Sequence, residues 1–150
     1  MKKILLAIFL MASISTLSIA SDGLITLKSS HSVKDTADKL VKMLKKKGMT
    51  VFIRIDHAAG AKKVGKKLRP TEVIIFGNPK AGTPVMLCSQ KAAIDFPQKA
   101  LIMEDAKGQV TLSYNDPKYI AKRHNIKGCD KVLTKISGIL NKFAKGATAK

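Results

Sequence analysis

Val73-Ile74-Ile75-Phe76-Gly77-Asn78-Pro79-Lys80-Ala81-Gly82-Thr83-Pro84-Val85-Met86-Leu87 passes from a β-branched run, through a turn-rich stretch, into an apolar helical pattern. A strand that turns through glycines into a helix start marks an α/β unit. It also marks a place where backbone amides can approach an anion, because the first helical N–H groups have no partner of their own. The pattern predicts a helix from about Thr83, with Pro84 in its first turn. Gly77 and Gly82 have four residues between them, as in a P-loop. The lysine position of that motif falls on Thr83 and its Ser/Thr position on Pro84, so a nucleotide-binding reading is rejected.

Working outward, Leu24–Leu27 reads as a short strand, and Ser32 with Asp35 resembles a capping box. Val33, Ala37, Leu40, Val41 and Leu44 recur at helical spacing up to a stop at Gly48. Val51–Ile55 is a second strand, and Ala58–Leu68 suits a lysine-coated helix weakened by Gly60 and Gly65. After the Glu72–Phe76 strand and its helix come a strand at Ala100–Glu104, a turn at Ala106-Lys107-Gly108 and a strand at Val110–Tyr114. Asp116-Pro117 is a cap followed by proline, and a last helix is expected over Asp130–Phe143, frayed from Gly146. The order is β-α-β-α-β-α-β-β-α-α. It predicts an α+β domain with one mixed sheet of about five strands, parallel in its early β-α-β units, and helices packed on it.

Residues 1–20 have the pattern of a signal peptide: Lys2 and Lys3, an apolar stretch from Ile4 to Leu17, and Ser18-Ile19-Ala20 before the cleavage point. The expectation is export, to a periplasm or the exterior, and one mature domain over residues 21–150. The formal charge of +18 falls to +16 without Lys2 and Lys3. Solvated helix faces account for many lysines, and peripheral contact with anionic envelope polymers is the sharper reading. With only 5% aromatic residues, no basic-aromatic alternation suited to nucleic acid appears. Cys88 and Cys129 read either as a disulfide, which an oxidising compartment permits, or as two buried thiols.

Candidate ligand-binding residues are Gly77, Asn78, Lys80, Gly82 and Thr83 of the turn. His57 joins them if its strand lies parallel beside the turn, and Tyr114 and His124 are further candidates. The scarce acids Asp56, Glu104, Asp105 and Asp116 are read mainly as caps and turns. No metal-ligand spacing and no cofactor motif is present. Three functions follow. The leading one is a module that binds a small anionic or polar ligand. The second is a metal-independent hydrolase or isomerase using His57 with Glu104 or Asp116. The third is a lysine-rich protein that adheres to anionic polymers.

Taken in order, Ile55-Asp56-His57, Ile75–Thr83, Ala93–Ala100, Glu104-Asp105, Gly108, Leu112–Pro117 and Ala121–His124 resemble domain-of-unknown-function family 302 over residues 24–143. The resemblance implies a two-layer α+β domain, often dimeric. It marks Asp56, His57, Gly77, Asn78, Pro79, Gly82, Glu104, Asp105, Tyr114, Asp116 and His124 as pattern residues, and it implies no activity. Phe96 departs from an expected leucine, and the two cysteines are particular to this chain.

Overall fold

A computed structural model describes residues 23–150; the expected signal peptide lies outside the described residues. Five strands form one sheet: β1 (Leu24–Lys28), β2 (Thr50–Asp56), β3 (Thr71–Gly77), β4 (Gln98–Glu104) and β5 (Val110–Asn115). The helices are α1 (Val33–Lys46), α2 (His57–Lys63), α3 (Pro79–Cys88), α4 (Pro117–Arg123) and α5 (Asp130–Thr148), with a 3-10 helix at Gln90–Asp95.

The sheet order is β1-β5-β4-β3-β2, and every neighbouring pair is antiparallel. The expected α+β class and five strands are present, but the expected parallel pairing is not. For β1 and β2 the reason is the crossover of α1, which carries the chain from one edge of the sheet to the other, so the two strands run the same way with three strands between them. That β-α-β unit is split across the sheet and contributes no parallel ladder. The units through α2 and α3 instead join neighbouring strands that run antiparallel.

Local chemistry fixes the element ends. Ser32 Oγ accepts from Asp35 N–H at 3.1 Å and donates to the Asp35 carboxylate at 2.7 Å, so Ser32 caps α1 and the carboxylate binds its hydroxyl rather than its backbone N–H as in a capping box. Asp56 caps α2 through Ala59 N–H, and Asp116 caps α4 through Lys118 N–H. Asp105 closes the β4–β5 hairpin by accepting from Lys107 and Gln109 N–H, with Gly108 at φ +77°.

Helices α1 and α5 pack on each other and on one face of the sheet. Leu40 and Leu44 of α1 meet Ile74, Phe76, Ile102 and Leu112 in a core from which water is excluded. Each such side chain contributes about 1.5–3 kcal/mol relative to exposure. The last helix does not fray at Gly146. It continues to Thr148, because Ala147 and Thr148 are buried and Thr148 O accepts from Ser30 N–H at 3.0 Å. Cys88 and Cys129 form a disulfide that ties the end of α3 to the start of α5 across 41 residues.

Candidate functional site

Helix α3 begins at Pro79, four residues before the expected start. The reason is Asn78, which caps the helix by accepting from Lys80 N–H at 2.9 Å, with Pro79 at the first helical position. Pro84 consequently lies inside the helix rather than in its first turn. This early start disposes of the expected anion cradle. Pro79 has no N–H, Lys80 N–H is bound to Asn78 Oδ1, and Ala81 and Gly82 N–H both donate to the Asn78 carbonyl. The first turn of α3 has no backbone donor left for an anion.

A pocket of about 410 Å³ opens beside this turn instead. Met49 and Phe52 form one side, and Gly77, Asn78 and Pro79 of the β3–α3 junction form its edge. Ala81, Gly82, Thr83 and Met86 contribute from α3, and Ile136, Ile139 and Leu140 from α5. The remaining wall is the segment that enters β4: Ala93, Phe96, Pro97 and Gln98, with a cis Phe96–Pro97 peptide bond. Only Asn78, Thr83 and Gln98 bring polar side chains to the lining. Both glycines create space. A Cβ on Gly77 would stand 3.4 Å from Pro97 Cβ, and one on Gly82 would stand 3.7 Å from Phe96 Cδ1.

Gln98 is the chemically distinctive member. It is 6% exposed, and neither its Oε1 nor its Nε2 has a hydrogen-bond partner among the described residues. A buried primary amide left unpaired costs roughly 1–3 kcal/mol, so a ligand atom that reached it would recover part of that cost. The pocket's size lies within the roughly 300–1,000 Å³ typical of small-molecule sites, and its apolar walls with few polar groups match their usual chemistry.

A second concavity of about 470 Å³ adjoins the first, sharing Met49, Asn78, Ala81, Ile136 and Ile139 with it. Its lining carries Lys47, Lys80, Lys135 and Lys142.

The sequence candidates divide between these regions and the rest of the molecule. Gly77, Asn78, Gly82 and Thr83 line the pocket, and Lys80 lines the adjoining basic concavity. His57 does not join them. In the antiparallel β2–β3 ladder Thr50 faces Gly77 and Asp56 faces Glu72, so His57 lies at the opposite end, roughly 20 Å away by strand rise. The assumption of parallel neighbours is overturned by that register. His57 and Asp116 also stand at opposite ends of the sheet, since Asn115 pairs with Leu24 and Asp116 N–H donates to Gly23 O at 2.8 Å. Glu104 ends β4 at the same end as His57, with β3 between them.

Tyr114 is buried on the helical face of β5, beside Ala100 of β4. Burial pushes its phenol above the usual range, and the Asp116 carboxylate pushes the same way. Its hydroxyl has no hydrogen-bond partner among the described residues. His124 Nε2 lies 2.5 Å from Asp95 Oδ2, while Arg123 donates to Asp95 Oδ1 at 3.1 Å. Asp56, Asp105 and Asp116 serve as the caps and turn described above. Among the described residues, no three His, Cys, Asp or Glu side chains converge as a metal site.

Sequence reasoning missed Phe52, Met86, Phe96, Gln98 and Ile139, because apolar residues that line a pocket look like core residues in a sequence. The one usable signal was Gln98 alternating in phase with Ala100 and Ile102, a polar side chain at an inward strand position.

The architecture is that of a two-layer α+β domain with a pocket between its helical layer and one end of its sheet. A match to the family described as Domain of unknown function DUF302 spans residues 25–143, and the chain belongs to that family. It is 43% identical over 133 residues to the protein named Fluoride-specific ion channel FluC 1 from Brucella suis biovar 1, covering 86% of this chain and 52% of that protein. It is also 43% identical to Fluoride-specific ion channel FluC 2 from Brucella melitensis biotype 1, covering 86% of this chain and 49% of that protein. The chain thus spans about half the length of these relatives. The crystal structure of an uncharacterized conserved DUF302 protein from Bacillus stearothermophilus is similar in fold, with a TM-score of 0.76 at 15% identity, covering 86% of this chain and all of that one.

Proposed function

We propose that this chain is an exported binding module whose pocket beside Gly77 and Gly82 takes a small molecule with an apolar body and at least one hydrogen-bonding atom. The observation that carries the reading is a pocket of about 410 Å³ with largely apolar walls, whose lining residues include Gln98, a buried amide without a partner among the described residues. The ligand differs in character from the small polar anion that the turn suggested, because Asn78 already occupies the α3 amides. Export is supported by the pattern of residues 1–20 and by the Cys88–Cys129 disulfide, which an oxidising compartment favours. No helix of the described residues is long and apolar enough to cross a membrane. The chain spans about half of the relatives whose names give a channel activity, and that activity is not part of this proposal.

Native mass spectrometry of the purified protein, with a thermal-shift screen of apolar metabolites, tests the reading. Ligand at 100 times its Kd raises stability by about 2.7 kcal/mol, which a shift in Tm reads directly. A screen in which every hit is unaffected by Gly82→Leu and Gln98→Leu overturns it.

A further inference from the structure

We infer that the ligand of this pocket is a single-chain amphiphilic anion, with its apolar body in the apolar concavity and its acidic head in the adjoining lysine-lined one. The inference rests on the binding reading above and adds the ligand's class to it.

The two concavities adjoin and share Met49, Asn78, Ala81, Ile136 and Ile139. The first has largely apolar walls. The second presents Lys47, Lys80, Lys135 and Lys142, all exposed. None of these four ammonium groups has an ion-pair partner among the described residues, whose salt bridges lie elsewhere, at Lys34, Arg54, Arg123 and His124. The cations come from three separate elements: the end of α1, the first turn of α3 and the body of α5. A lysine stripe on one solvated helix would not converge in this way. Four uncompensated positive charges around an apolar opening raise the local concentration of anions and favour a negative head there. Lysine stems also cover apolar surface while their heads stay in water, which suits them to the boundary between chain and head group.

A neutral apolar molecule would use the apolar concavity and gain nothing from the lysines. A small inorganic anion would use the lysine-lined concavity and leave the apolar one empty. Only a molecule with both characters uses both. The charge is better met by one acid than by a bilayer, because the apolar part is a recess of bounded volume rather than a flat or convex face.

The test compares decanoate with 1-decanol by isothermal titration calorimetry on the full mature chain. The expected result is tighter binding of decanoate by about tenfold or more, equivalent to roughly 1.4 kcal/mol. In the Lys135→Glu/Lys142→Glu double variant that preference disappears while decanol affinity is unchanged. Gly82→Leu removes both ligands. Circular dichroism melts show that these variants are folded. Equal affinity for the two probes, with both blocked by Gly82→Leu, overturns the amphiphile inference and leaves the pocket reading standing. Binding of neither probe, with Gly82→Leu inert throughout, sinks both. Binding to phosphatidylglycerol vesicles without binding of free decanoate also overturns the inference, in favour of a membrane-docking face.

Discussion

Asp95 and His124 are joined by a 2.5 Å contact between Oδ2 and Nε2, and both side chains are about nine-tenths buried. This pair fastens the C-terminal end of α4 to the segment that precedes Phe96, Pro97 and Gln98. Arg123 holds the other carboxylate oxygen at 3.1 Å. The clamp therefore fixes one wall of the pocket from behind, without lining it.

Asp95→Ala should cost about 2–4 kcal/mol, because a buried charged network loses its centre and leaves His124 and Arg123 without their partner. Urea denaturation measures the loss. The same variant should weaken ligand binding although Asp95 does not line the pocket. Undiminished stability would show that the clamp is replaceable by solvent.

Gly82→Leu should block the pocket at little expense to the fold. A Cβ at this position meets only Phe96 Cδ1 at 3.7 Å and Met86 Cε at 3.9 Å, both ordinary contacts. Replacing a helical glycine also gains up to about 1 kcal/mol of helix propensity. Stability within about 1 kcal/mol of the parent, together with lost binding in the thermal-shift screen, is the expected outcome.

Tyr114→Phe should leave stability unchanged or raise it by up to about 1 kcal/mol, because the deleted hydroxyl has no partner among the described residues. The pH dependence follows from the raised pKa. The folded state keeps the phenolic proton where the unfolded chain releases it, at a pKa of about 10. The contribution is complete below that pH and is lost as pH rises through it towards the folded value. Parent and variant should therefore differ increasingly in the variant's favour above pH of about 10, read by denaturant titration across the alkaline range.

Cys88→Ser/Cys129→Ser should lower stability by roughly 4 kcal/mol, the chain-entropy estimate for closing 41 residues. Denaturation with and without reductant gives the same comparison in the parent. A double variant as stable as the oxidised parent would mean that native packing alone holds α3 against α5.

Much of the fold was legible because its signals are local. The Ser32 and Asp116 caps, the Asp105–Gly108 turn and the helical spacing of Leu40 and Leu44 each act within a few residues. Strand pairing was not legible in this way. The β-α-β order is compatible with parallel neighbours, with antiparallel neighbours and with strands at opposite edges, and only long-range packing decides among them. The placement of His57 assumed parallel β2 and β3, which are antiparallel neighbours. The turn at Gly77–Thr83 was found, but its chemistry was misread, because Asn78 and Pro79 start the helix early and use the amides. The apolar lining was invisible for a different reason: Met86, Phe96 and Ile139 could equally have been filler for a closed interior.

The Cys88–Cys129 bridge connects the two helices that face each other over the opening, α3 with Gly82 and Met86, and α5 with Ile136 and Ile139. The bond limits how far the two helices can separate, and a reductant that cleaves it should loosen the opening they flank.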